Sequence, residues 1–247
     1  MSDSSDLKNK FDALDSYNWN LSLHDFKGND QWQDNWVLDG KKCELTNSSD
    51  GLKFISGPEA GDNAHHGVLW TKETYSGDMK VTFEFTRLDT INRYVNILYF
   101  HANGIGEGEY KKNIHEWADL REVPLMATYF EKMDLLHISF AAFGNSNDDA
   151  DDYIRVRRYP VREDRSFDQI EVDGTIHNTN LFLPNVKSLV CFIKTKTALA
   201  MKISIDGVDF YHHWDISTVE ETESGAFGIR QMWQKESIYK NIKIYTL

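Results

Sequence analysis

Basic residues are scarce in this chain: Lys and Arg number 27 against 39 Asp and Glu, a formal charge of −12. A chain that acidic repels phosphate backbones, which argues against nucleic acid as a partner. Cysteine is almost missing. Cys43 and Cys191 are the only two, too few for a disulfide framework, and Cys191 lies in the apolar run Leu189–Ile193 as a small hydrophobe. With four prolines there is no Pro-rich linker, and no internal repeat divides the chain. No stretch approaches the ~20 apolar residues of a membrane span. The N-terminal MSDSSDLKNKF holds no apolar signal core, so the chain as it stands is expected in the cytoplasm, or in the periplasm after processing. No amphipathic pattern exceeds about three helical turns; Lys111–Leu120 is the best short helix. There is no GxSxG elbow, phosphate loop or dinucleotide fingerprint.

Aromatic residues, by contrast, are abundant, with 14 Phe, 11 Tyr and 7 Trp. They cluster with β-branched residues in short runs: Met79–Arg87, Tyr94–His101, Leu136–Phe143, Tyr153–Tyr159, Leu189–Thr195 and Ala200–Asp206. Asp-Gly pairs at 39–40, 50–51, 173–174 and 206–207 supply turns between them. The pattern predicts an all-β jelly-roll sandwich of two packed antiparallel sheets, a single domain over residues 1–247.

Period-two alternation sorts the side chains. Leu136, Ile138 and Phe140 share a core face, leaving His137, Ser139 and Ala141 on the other. Ile154 and Val156 point inward, leaving Tyr153, Arg155, Arg157 and Tyr159 opposite. Phe227 and Ile229 oppose Gly228, Arg230 and Met232. Met201, Ile203 and Ile205 alternate with Lys202, Ser204 and Asp206, which reads as an ordinary solvated outer sheet.

The sharpest feature is a local reversal of charge. Residues 153–158 read YIRVRR, which projects Arg155 and Arg157 from one face roughly 7 Å apart. Such a pair suits a carboxylate or sulfate; pairing with acids on neighbouring strands is the competing explanation. Histidines near strand ends come next: His65-His66 before a strand, His101 ending one, and His137 on a non-core face. With Tyr129, Tyr153 and Tyr159 they can exchange protons once the surroundings shift their pKa. HEWAD (115–119) lacks the second His of a zinc helix. His212-His213 has no further ligands in the sequence. NSNDDADD (145–152) lacks calcium-loop spacing and reads as a solvated tip. Trp70, Trp117 and Trp233 have indole faces suited to sugar C–H groups.

HHGVLW (65–70), LHIS (136–139), IRVRR (154–158) and GIRQM (228–232) together resemble the YesU-type family of bacterial proteins. The resemblance runs from about Trp36 onward; the Gly104–Val123 region departs from it, and His101 stands where a small residue is expected. It implies a concanavalin A/galectin-like sandwich and carbohydrate chemistry. More specifically, the chain looks similar to members from marine bacteria that dehydrate the terminal uronic acid of ulvan-derived oligosaccharides.

Elimination from a uronate sets requirements. The C5 proton leaves only if the carboxylate is neutralised, a task for Arg155, Arg157 or Arg230. His137 or Tyr129 is the candidate base, and His66 or a tyrosine the candidate acid. His101, Tyr159, Gln231 and Trp233 complete the candidate substrate-binding set. The scheme calls for no metal and no cofactor. A polysaccharide lyase uses the same logic with the next sugar as leaving group. A non-catalytic carbohydrate-binding module is the second reading, and a glycoside hydrolase the third, because the basic strands carry no paired carboxylates. The partner expected in each case is a saccharide, acidic in the first, and the oligomeric state stays open.

Overall fold

The computed structural model describes residues 4–28 and 30–247. Its strands, in chain order, are β1 (Asn20–Asp25), β2 (Trp36–Asp39), β3 (Glu44–Ser48), β4 (Gly51–Ile55), β5 (Gly67–Ser76), β6 (Met79–Arg87), β7 (Asn96–Gly104), β8 (Met133–Ala142), β9 (Tyr153–Tyr159), β10 (Ile176–His177), β11 (Lys187–Lys194), β12 (Ala198–Ile205), β13 (Val208–Asp215), β14 (Ser224–Gln231) and β15 (Glu236–Thr246). One sheet has the order β13-β12-β11-β6-β15-β4-β3, with β1 also on β15; the other runs β10-β9-β8-β7-β14-β5-β2. Neighbours pair antiparallel throughout, as at β11–β6 and β8–β9. This is the two-sheet, all-β sandwich that the alternation predicts.

The core between the sheets follows from that alternation. Along β6, Met79, Val81, Phe83 and Phe85 are buried while the residues between them are half-buried. Phe83 and Phe85 meet Phe140 of the facing sheet at ring separations of 6.0 and 5.1 Å. Each buried Phe contributes roughly 1.5–3 kcal/mol by leaving water. Asp206-Gly207 forms a two-residue hairpin between β12 and β13, both residues at positive φ (50° and 80°). Backbone twist favours that geometry, which Asp-Gly adopts readily.

Two departures from the sequence reading matter. Ser4–Asp15 forms a helix, α1, whose Phe11 packs on Tyr211 beside Ile193 and Ala200. The outer face of the first sheet is therefore partly covered rather than simply solvated. In β8 a bulge at Ala141 (φ 43°) breaks the period, so Ala141 joins the inter-sheet core and Ala142 the opposite face. Upstream of the bulge, His137 and Ser139 keep the outer side as expected.

The outer face of the second sheet is covered too. Between β7 and β8 the chain forms a short 3-10 segment, Ile114–Arg121, kinked at Trp117, and a seven-residue helix, α2 (Met126–Lys132). Ile114, Trp117 and Tyr129 from this cover pack with Val68, Trp70, Ile97, Tyr99, Leu135 and Tyr159 of the sheet. Lys111–Leu120, predicted as a short helix, is thus built as the first part of the cover.

Candidate active site on the covered face

Strand register places the polar residues of this face in two rows. One row, reading across β9, β8, β7, β14 and β5, is Arg157, His137, Tyr99, Gly228 and Trp70. The second, extended onto β2, is Arg155, Ser139, Ile97, Arg230, Val68 and Asp39. Four strand spacings separate Arg157 from Trp70, roughly 19 Å. Gly228 is required within its row, because a Cβ there would lie 2.4 Å from the Trp70 ring. Without that side chain, Trp70 lies parallel to Tyr99 at 5.2 Å, and Tyr129 closes the stack 6.1 Å from Tyr99.

Four guanidinium groups serve this face: Arg121, Arg155, Arg157 and Arg230. Among the described residues their ion pairs are with two carboxylates. Arg121 Nε lies 2.6 Å from Asp39 Oδ2, while Arg155 Nε and Arg157 Nη2 share Glu171 Oε2 at 3.1 and 3.6 Å. Arg230 has no carboxylate partner: its Nη2 donates to His66 Nδ1 and to the Pro124 carbonyl at 2.7 Å, and its guanidinium lies over the Tyr129 ring. A fully buried arginine without an anion is costly. The face thus carries surplus positive charge in a chain whose net charge is −12.

Buried polar atoms that find no partner among the protein's own groups gather here: Tyr99 and Tyr159 hydroxyls, His137 Nδ1, His66 Nε2, Arg230 Nε and Nη1, and Asp39 Oδ1. Buried groups of this kind are normally satisfied by protein groups or by ordered water, so this cluster is the most polar part of the covered face. The rings of His137 and Tyr159 stack at 5.1 Å, and Tyr99 lies 5.8 Å from His137.

Protonation follows from burial and charge. Burial, then the Arg157 charge, holds His137 well below the usual imidazole range, so it is neutral and able to accept a proton. Burial and Arg230 bring His66 down to about 2. An arginine can only donate, so His66 Nδ1 must accept and Nε2 carries the proton. His66 therefore offers a neutral N–H donor, which corrects its expected role as a protonated acid. Tyr129 sits not on a strand but on α2, its hydroxyl donating to Asp39 Oδ2 at 2.9 Å. Burial and Asp39 push its pKa well up, which contradicts Tyr129 as base. Burial also raises Tyr99 to about 12 and Tyr159 well above the usual phenol range; both keep their protons.

Of the other predicted site residues, Trp233 belongs to the face, its ring 4.2 Å from His66. Two do not belong. His101 turns away at a strained backbone position (φ 52°), its Nδ1 2.8 Å from the Thr222 carbonyl that also binds Lys194. Gln231 has core-facing parity and donates to the Phe54 carbonyl of the other sheet at 2.9 Å. Trp70 is buried beneath the cover and Trp117 within it, so neither is an open sugar platform. The competing explanation for Arg155 and Arg157 holds in part, since Glu171 pairs with both. The site residues missed from sequence are Asp39, Tyr99, Arg121 and Glu171. Tyr99 was legible, lying between core-facing Leu98 and Phe100.

Asp39 is the hub of the cover: Oδ2 accepts from Trp70 Nε1 at 2.7 Å, Arg121 Nε at 2.6 Å and Tyr129 OH at 2.9 Å. A separate group, Glu59, Asp62 and His65, has the make-up of a metal site. There, His65 Nδ1 accepts the Glu59 N–H at 3.2 Å, so Nε2 holds a proton toward the two carboxylates, the wrong tautomer for a ligand. On the covered face, Tyr99, His137, Tyr159 and Arg230 are all at most 1% exposed. Surface cavities of about 550 and 630 Å³ lie elsewhere, along Arg87, Asp152 and Asn178 and along Lys112, Asp134 and Arg162. Arg155 and Arg157, 23% and 12% exposed, form the rim of the cluster.

No protein-family model and no curated protein sequence matches the chain. Solved structures do. A galectin-like protein of unknown function from Bacillus subtilis matches with TM-score 0.66 and 17% identity, over 92% of this chain and 97% of that one. The exoplasmic/lumenal domain of VIP36, solved with Ca2+ and Man3GlcNAc bound, matches with TM-score 0.59 and 12% identity, over 92% and 90%. A legume lectin-like domain from Entamoeba histolytica matches with TM-score 0.58 and 8% identity, over 91% and 97%. The chain has the galectin/legume-lectin-like sandwich fold.

Proposed function

We propose that the outer face of the second sheet binds an acidic oligosaccharide and eliminates across C4–C5 of a uronate unit. The observation that carries this reading is the row Arg157–His137–Tyr99: a cation, a neutral imidazole and a protonated phenol side by side, with Arg230 behind them. The arginines neutralise the uronate carboxylate as charge develops on it. Once the uronate carboxylate offsets the Arg157 charge that depresses its basicity, His137 takes the C5 proton, and the electron pair of that C–H bond becomes the C4=C5 double bond. The C4–O bond breaks, and its oxygen takes a proton from Tyr159 or Tyr99, with the His66 Nε2–H as a further donor. Water leaves in a dehydration; the next sugar leaves in a chain cleavage. A dehydratase acting on a terminal uronate is the reading we favour, in line with the family resemblance.

The test is incubation with uronate-terminated oligosaccharides, following ultraviolet absorbance of the unsaturated product and its mass. A loss of one water per molecule supports dehydration, and fragmentation supports a lyase. Binding with neither would leave a lectin-like protein, the second reading, which the saccharide-bound VIP36 structure favours.

A further inference from the structure

Glu171 lies outside the strands read from sequence, on a segment that extends the sheet beyond β9. Arg158 N–H donates to the Ile170 carbonyl at 2.8 Å, and Val172 N–H to the Val156 carbonyl at 3.0 Å. This pairing sets Glu171 directly opposite Arg157, so both side chains project from the outer face. One carboxylate oxygen, Oε1, accepts from Thr175 Oγ1 at 2.7 Å. The other, Oε2, is divided between Arg155 and Arg157 and serves neither fully. The Arg157 contact is long at 3.6 Å, and neither arginine's Nε has an aligned acceptor. A carboxylate engages a guanidinium best with two oxygens in parallel. Glu171 is also the more exposed partner, with about a third of its side chain in solvent. Arg155 and Arg157 are braced by stacking on Tyr153 and Phe167, each 4.6 Å away.

We infer that Glu171 is a built-in stand-in for the anionic group of the ligand, and that it determines specificity. It occupies the arginine pair until a ligand carboxylate or sulfate displaces it. A neutral saccharide has no group to displace it with and gains nothing from the arginines. The inference rests on the acidic-saccharide reading above for its ligand, but not on any catalysis.

The test is calorimetric titration of the parent, Glu171→Gln and Thr175→Val with a glucuronate-terminated oligosaccharide and its neutral, glucose-terminated counterpart. Glu171→Gln should tighten the acidic ligand on the order of tenfold and leave the neutral one unchanged. Thr175→Val, which frees Glu171 without removing it, should shift affinity the same way by less, and it carries the test if Glu171→Gln does not fold. Inorganic sulfate is the saccharide-free probe: it should raise the melting temperature of Glu171→Gln more than that of the parent. Weaker or unchanged acidic binding in a folded Glu171→Gln, or an equal sulfate response, would overturn the inference and make Glu171 a structural brace. Tighter anion binding with no unsaturated product from any protein would leave this inference standing and remove the proposed reaction.

Discussion

His137 and Arg157 face each other directly across β8 and β9, and each sets the state of the other's surroundings. The Arg157 charge is the second cause, after burial, of the low His137 pKa. Arg157→Ala should therefore raise that pKa, read by NMR titration of the imidazole; an unchanged or lower value would mean that the two side chains do not interact. As general base, His137 is expected to supply about 10²–10⁴-fold in rate. His137→Gln should lose at least the lower factor while its melting temperature stays near that of the parent. A near-parental rate in the folded variant would remove His137 from the reaction. His137, Arg155 and Arg157 were legible in sequence because strand alternation fixes which face they share. His66 was legible as a site residue but not in its role, since only the Arg230 contact reveals which nitrogen carries the proton. Gln231 was misplaced against the same alternation that put Arg230 correctly, one position before it.

One carboxylate ties both segments of the cover to the sheet, beside their apolar packing and the Arg230–Pro124 hydrogen bond. Asp39 ends β2, and its Oδ2 takes hydrogen bonds from β5 (Trp70), the 3-10 segment (Arg121) and α2 (Tyr129). Removing one partner of a buried ion pair leaves the other charge unpaired, at about 3–5 kcal/mol. Asp39→Ala should lose stability of that order in urea unfolding, with no change in the inter-sheet core; a loss below about 1 kcal/mol would show the hub to be dispensable. In sequence Asp39 reads only as half of an Asp-Gly turn. The strands themselves were legible from β-branched and aromatic runs, and β6 and β9 match their predicted bounds. The cover was not: its segments are short, one is kinked at Trp117, and they are fixed by long-range contacts such as that of Arg121 with Asp39, 82 positions apart.

The whole molecule carries a charge of −12 and still buries Arg87, Arg121, Arg158 and Arg230, together with three histidines whose pKa values are strongly lowered. His66 at about 2, His101 at about 4 and His137 well below the usual range all resist protonation when folded. Unfolded, each takes a proton near pH 6.5. The unfolded chain therefore binds more protons below that pH, and stability falls as pH drops. Each of the three adds to that fall once the pH drops below about 6.5. The urea midpoint should decline from about pH 7 to pH 5, less steeply in His137→Gln; a flat profile would mean that these histidines are protonated in the folded protein. The sandwich fold and the basic face of one sheet could be read from the sequence, whereas the closure of that face could not, because it depends on long-range contacts. The most direct test of the central claim is titration of the parent and Arg157→Ala with a uronate-terminated oligosaccharide and its neutral counterpart. We expect the parent to prefer the acidic ligand, and Arg157→Ala to lose about 1.5–3 kcal/mol of acidic binding while neutral binding holds. Equal affinity of the parent for both ligands, or equal loss of both in the variant, would contradict an anion-binding role for this face.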